Sequence, residues 1–436
     1  MTRYKGIGRK IAVTALMLGL GLMVLAAATP AVAGGSTILV SIHDPGARGD
    51  TLYAMDPTSG QARALFNFAN HPRHHAGLIL DPRVGPGGRY IYFSSDNANF
   101  YTPFYYNLFR ITSDGRSWQQ LTPGVNSGRW DQRCPCSVVR GRVRRRSGRP
   151  YSAAPVFLEG VGMVYSQPDG SFEFKKVPMG MRWLMAYRPG NARAYDSQLI
   201  TVAPGAPMTV DLIPNSTHRA SLRYPVPAGD NLVFQAGLLT LVRLNLARRT
   251  TANIYQVGGT CSLKQISGFD LDRRSGRLAI LDYATGCPTN RGLYVTQGNA
   301  LRLLLDTKTD QRWCGVGQVF WSPDGTRLAL SVCLAYGNAL NQIPSLLVLD
   351  AASGRVLGNW GINMPSLNLG KMRLHGWSPD GRHLLFSWYT SRPSAGNLSI
   401  IGVGPGGTID PRTGRHLIRG RRINGATWAV LKPPAR

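Results

Sequence analysis

"VFWSPDGTRLALSV" occupies residues 319–332, and "HGWSPDGRHLLFSW" at residues 375–388 repeats its plan. Each is an apolar stretch, a Pro-Asp-Gly turn and a second apolar stretch. Proline presets φ, aspartate bonds to the nearby backbone, and glycine takes the position where φ is positive. Two strands joined by a tight turn are expected at both places. Weaker copies are "GFDLDRRSGRLAIL" (268–281), "LILDPRVGPGGRYIYFS" (78–94) and "LRYPVPAGDNLVFQ" (222–235).

A third strand ending in another turn follows, as in "LYAMDPTSG" (52–60), "LFRITSDG" (108–115) and "LLVLDAASG" (346–354). Fourth strands such as "QARALF", "WQQLT" and "RVLGNW" come next. Four antiparallel strands in units of roughly 40–60 residues are the blades of a β-propeller. The units number six. The chain enters at the second strand of blade one, "STILVSI" (36–42), and "NGATWAVL" (424–431) supplies that blade's missing first strand. Such closure leaves no open sheet edge. The fold class is all-β: a six-bladed β-propeller interrupted by a small β-sandwich.

The Trp-Ser-Pro-Asp-Gly turns, Trp321 to Gly325 and Trp377 to Gly381, resemble the hallmark of TolB-like six-bladed propellers. Between blades two and three the rhythm changes to short alternating strands, residues 137–214. This segment resembles carboxypeptidase regulatory-like (transthyretin-type) modules. The resemblance rests on Gly141-x-Val143, Gly148-Arg149-Pro150, Pro155-Val156-x-Leu158, Asp169-Gly170-Ser171-Phe172 and Val177-Pro178-x-Gly180. It implies a non-catalytic spacer or binding platform. The expected organisation is a leader at 1–33, blades one and two at 34–133, the module at 137–214, and blades three to six with ring closure at 215–436.

The leader is read from Arg3, Lys5, Arg9 and Lys10, an apolar run at 11–28, and Ala31-Val32-Ala33. That is the pattern of a secretory signal, which left uncleaved would be a membrane anchor. The expected location is periplasmic or extracellular. The formal net charge is +28. Such a surface attracts anionic polymers, and an exported chain points to envelope or extracellular partners in preference to nucleic acid. The basic run at 140–149 is read as a charged edge strand, where arginine discourages edge pairing.

Six cysteines in an exported chain suggest disulfides. Cys261 with Cys287 and Cys314 with Cys333 sit before strand one and after strand two of consecutive blades, so each pair is expected to bond. Cys134-Pro135-Cys136 stands at the entrance to the module, where a bond across one residue would be strained. No Cys-x-x-Cys-His haem motif occurs.

In a propeller, strand one lines the axis. The Pro-Asp-Gly turns gather on one face, here the turn face. Loops joining strands two and three, and the crossings between blades, gather on the opposite, upper face. The upper face is the expected binding surface. It receives the loop with Asp96, Phe100, Tyr101, Phe104, Tyr105 and Tyr106, the crossing with His71, His74 and His75, the blade-one loop with His43 and Asp44, and Trp388 and Tyr389 in blade six. The rings would stack on sugars, grip a partner protein, where tyrosine is enriched, or dock the module. The histidines with Asp44 are also a metal-ligand candidate, although their spacing is not a stereotyped one. Asp96 and Asn97 make an incomplete calcium set.

No catalytic residue, resident metal or cofactor is assigned. No Gly-x-Ser-x-Gly occurs. The expected function is non-catalytic binding or scaffolding in the bacterial envelope, with an envelope protein or an anionic or polysaccharide ligand as partner. Two alternatives stay open: a propeller hydrolase, lyase or metal-dependent enzyme with His and Asp groups around the axis, and a subunit of an exported redox complex.

Overall fold

The computed structural model describes residues 35–43, 49–70, 77–95, 107–121, 137–145, 147–158, 161–177, 180–189, 191–203, 205, 207–214, 222–236, 240–247, 250–256, 263–285, 292–298, 300–306, 313–335, 342–361, 371–389 and 396–432. Blade two comprises Leu80–Val84, Tyr90–Ser95, Asn107–Thr112 and Trp118–Gln120. Blade three comprises Leu222–Ala228, Asn231–Ala236, Thr240–Asn245 and Thr250–Gln256. Blade four runs from Leu263–Leu271 through Leu278–Thr285 and Gly292–Gln297 to Ala300–Asp306. Blade five runs from Trp313–Trp321 through Arg327–Ala335 and Gln342–Asp350 to Val356–Gly361. Each is a four-stranded antiparallel sheet paired in chain order.

Blades six and one share one seven-stranded sheet. Its connector is a 21-residue strand, Ile409–Ala429. The first half of that strand pairs with Gly396–Val403 as the outer strand of blade six, which begins with Lys371–Trp377 and His383–Tyr389. The second half pairs with Thr37–His43, placing Thr37 opposite Ala429 and Val40 opposite Ala426. Asp50–Met55 and Ala62–Asn67 complete blade one. The chain end thus closes the ring as the strand pattern predicts. The inner strands are neighbours in ring order, and Ile409–Ala429 packs against both Leu80–Val84 and Lys371–Trp377.

The core lies between blades. Phe66 and Phe68 pack with Phe93 and Phe109 across blades one and two. Val233 and Leu241 meet Phe269 and Ile280 across blades three and four. Leu281 and Leu293 meet Val319 and Leu330 across blades four and five. Leu346 and Val348 meet Leu374 and Phe386 across blades five and six. Each blade buries apolar surface only by meeting its neighbour, so ring formation and core formation are one event.

The Trp-Ser-Pro-Asp-Gly turn has a structural task beyond turning. Ser322 Oγ donates to Asp324 at 2.5 Å and accepts from the Arg327 amide at 2.9 Å, and Gly325 has φ +71. Arg277 of blade four lies 4.6 Å over the Trp321 ring and donates to the Gly325 carbonyl at 2.9 Å. Arg327 of blade five does the same to blade six, 5.0 Å over Trp377 and 3.2 Å from the Gly381 carbonyl. One motif therefore clamps successive blades by cation–π stacking and a charge-assisted hydrogen bond. The equivalent position in blade six is His383, and there Arg415 of the long strand donates to the Pro57 carbonyl of blade one.

The segment between blades two and three forms two small sheets, Ser137–Val143 with Ser171–Val177 and Met208–Leu212, and Pro155–Leu158 with Gly162–Tyr165, Gly180–Arg188 and Asn191–Val202. Val139, Val156, Phe172, Leu184 and Leu212 fill the space between them. Ser137–Val143 is the middle strand of its sheet, parallel to Met208–Leu212, so the edge-strand reading of the basic run is corrected. Alternation explains the pattern: Val139, Gly141 and Val143 face inward while Arg140 and Arg142 are exposed. The two sheets join the ring through Phe157, Met185 and Tyr187, which pack with Tyr92 and Leu108 of blade two and Leu222 and Phe234 of blade three.

Candidate binding site at the propeller axis

Every inner strand carries a register break against strand two. Leu80 and Arg83 oppose Ser94 and Tyr92. Arg223 and Val226 oppose Gln235 and Val233. Comparable breaks fall at Ile266/Gly268, Val316/Val319, Leu374/Gly376 and Ser41/Ile42. A β-bulge re-aims a side chain and bends its strand. Asp81, Gln318, His375 and Asn424 sit at these bulges. Asp81 and Tyr224, each preceding a proline, have φ of 54 and 53, a strained choice for non-glycine residues. Gly425 allows close approach at the seam: a Cβ there would lie 2.6 Å from Pro82 and 2.8 Å from the Asp81 nitrogen.

The bulges assemble a polar axis from all six blades. Near the upper ends of the inner strands, Asp81 Oδ2 accepts from Arg223 Nε and Nη2, both at 3.1 Å, while Oδ1 pairs with Arg373. Arg373 also donates to the Asn424 carbonyl at 3.0 Å, and the Gln318 amide, turned so that its oxygen faces Arg373, accepts from Nε at 3.0 Å. Burial alone would raise the Asp81 carboxyl. Arg223 and Arg373 outweigh it and hold the group below the ordinary carboxylate range.

Asn424 links this layer to Asp50. Its amide donates to Asp50 Oδ2 at 2.7 Å. The fully buried Asp50 also receives the Ile79 amide at 2.7 Å, Ser41 at 3.3 Å and His43 Nδ1 at 3.0 Å.

Toward the turn face lies a second layer. Arg83 stands 4.3 Å over the Phe320 ring, Arg273 donates to the Val84 carbonyl at 3.1 Å, and Asp270 accepts from the Trp321 amide at 2.9 Å. Burial raises the Asp270 carboxyl, against the pull of Arg83 and Arg273. Burial also lowers both arginines, opposed by the Asp270 charge. His375, 4% exposed and 2.9 Å from Ser387 Oγ, is held well below the usual imidazole range by burial and by Arg373 and Arg83.

Of the residues singled out from the sequence, His43 bonds to Asp50. Trp388 sits beside His416, 5.9 Å between ring centroids, and Tyr389 donates to the Ile423 carbonyl. Asp44, His71, His74, His75, Asp96, Phe100, Tyr101, Phe104, Tyr105, Tyr106, Cys134, Cys136, Cys261 and Cys287 lie outside the described residues. Cys314 and Cys333 fall on adjacent strands, Gly315 opposite Cys333, with their side chains outside the description. Among the described residues no His, Cys, Asp and Glu group fit for a metal occurs.

Sequence reading missed Asp81, Arg83, Arg223, Asp270, Arg373 and His375 as site residues. The signal was present: each is a charged or titratable residue inside an otherwise apolar first strand, as in "LILDPRV" and "KMRLHGW".

No protein-family model matches the chain. No curated protein matches it either. Solved structures with a similar fold include a prolyl endopeptidase, at TM-score 0.43 and 11% identity, covering 93% of this chain and 50% of that one. The chain thus spans about half the length of that enzyme. A putative 6-phosphogluconolactonase from Bacteroides fragilis gives TM-score 0.38 and 12% identity over 92% of this chain and 100% of that one. An oligogalacturonate lyase in complex with manganese gives 0.33 and 13% over 84% and 82%. At these identities the likeness is one of fold alone.

Proposed function

We propose that this chain is an exported, non-catalytic binding protein of the bacterial envelope: a TolB-like propeller with a carboxypeptidase regulatory-like module at 137–214. It recognises an envelope protein or an anionic polysaccharide through the upper propeller face and the module together. The observation that supports this reading most is the apolar joint of Phe157, Met185 and Tyr187 with blades two and three. A joint of that kind holds module and ring as one surface, where a bare linker would leave them independent. The outward side of the module carries Arg140, Arg142, Lys175 and Lys176 beside Glu173 and Asp211, with basic residues in excess, and exposes Met163 and Tyr165 at 54% and 57%. Basic side chains beside an accessible ring suit acidic glycans and anionic protein surfaces.

The test is photo-crosslinking in living cells from Tyr165 and, separately, from Trp388, with adducts identified by mass spectrometry. Adducts of both positions with the same envelope protein or glycan are expected. Crosslinks confined to the chain itself would overturn the reading.

A further inference from the structure

We propose that the turn-face half of the axis is an oxyanion site, in which Arg83 and Arg273 hold a carboxylate or phosphate group. This goes beyond the partner reading, since it concerns the opposite end of the axis and a small ligand.

Charge is the first argument. Among the described residues along the axis, four guanidiniums, Arg83, Arg223, Arg273 and Arg373, accompany Asp81 and Asp270, with Asp50 joined to the upper layer through Asn424. Asp81 is fully engaged by Arg223 and Arg373. Among the described residues, neither Arg83 nor Arg273 forms an ion pair; Arg83 has an aromatic face and Arg273 one backbone carbonyl. Two cations therefore share one place with a single carboxylate that already accepts from a backbone amide.

Access is the second argument. Arg273 is exposed and Arg83 half-buried, so both side chains are within reach of a small solute. The planar fork of arginine matches a carboxylate or phosphate in two-point geometry. Arg273 and Arg373 repel the Arg83 charge, and a bound anion relieves that repulsion.

The third argument is construction. Arg83 follows the bulge at Asp81 and Pro82, so the strained backbone sets where its side chain stands. Its position over Phe320 fixes the guanidinium plane at the blade-five wall.

The experiment is calorimetric titration of the full chain with inorganic phosphate and with glucuronate at low ionic strength, with chloride as reference. Saturable binding of either anion is expected, and which one binds identifies a phosphate or an acidic-sugar source. Arg83→Gln is expected to weaken it by about tenfold to a hundredfold, the loss of a charge-assisted hydrogen bond. Arg273→Gln, at an exposed position, provides the same readout if Arg83→Gln does not fold. Binding of neither anion above chloride, or unchanged affinity in a folded variant, overturns the proposal. The crosslinking outcome is independent of this one, because it reads the upper face and the module.

Discussion

Arginine is used in two different ways in this propeller. At the turn-face seams, Arg277 and Arg327 are matched: each has an indole face, a backbone carbonyl and a turn aspartate of its own blade within reach. At the axis, Asp81 matches Arg223 and Arg373, while Arg83 and Arg273 remain in excess of carboxylate. A matched arginine stabilises the ring. An excess arginine costs stability, and a protein that keeps it has another use for it. The contrast separates the structural part of the molecule from the part proposed to bind.

The largest effect is expected at Asp81. Asp81→Asn removes the carboxylate that the half-buried Arg223 and Arg373 share and should lower unfolding free energy at pH 7 by about 3–5 kcal/mol, measured by urea denaturation. The folded carboxyl titrates below its unfolded value of 3.8. Its contribution is therefore complete above that value and disappears as pH falls through the lower folded value. The gap between parent and variant should narrow below pH 3.8.

A second effect concerns His375. Its folded pKa lies well below 6.5, so its stabilising contribution is present above pH 6.5 and is lost on acidification. Below that pH the parent should lose about 1.4 kcal/mol per pH unit through this one group, a slope that His375→Gln removes. Equal slopes would show that the imidazole titrates freely.

At the seams the effects are smaller. Arg327→Ala should cost about 1–2 kcal/mol, because its side chain is only 13% exposed and loses both the Trp377 face and two carbonyl partners. Arg277→Ala, at 38% exposure, should cost less than 1 kcal/mol. Smallest of all is the module's outer face, where Arg142→Ala should stay within about 0.5 kcal/mol of the parent.

The blades were legible because Pro-Asp-Gly turns and apolar strands are local signals. Ring closure by residues 424–431 was legible because a missing inner strand can be counted. The single long strand through Ile409–Ala429 was not: "PRTGRHLIRGRRING" is too polar and glycine-rich to read as continuous, and it is held by pairing on both sides. The axis was illegible for a related reason. Whether Asp81 or His375 faces the axis depends on bulges, and a bulge is defined by a partner strand the local sequence does not contain. The clamp of Arg277 on Trp321 links residues of different blades, so repeat copies show its parts but not its contact.

The most direct test is the stability of Arg83→Gln beside the parent, with and without phosphate or glucuronate. Without anion, the variant should be as stable as the parent or more so, since it removes an excess cation from the site. With the anion that binds, the parent alone should gain stability, in proportion to the logarithm of ligand concentration. A variant destabilised as Arg327→Ala is, with the same anion response as the parent, would contradict the account: Arg83 would then be one more structural clamp.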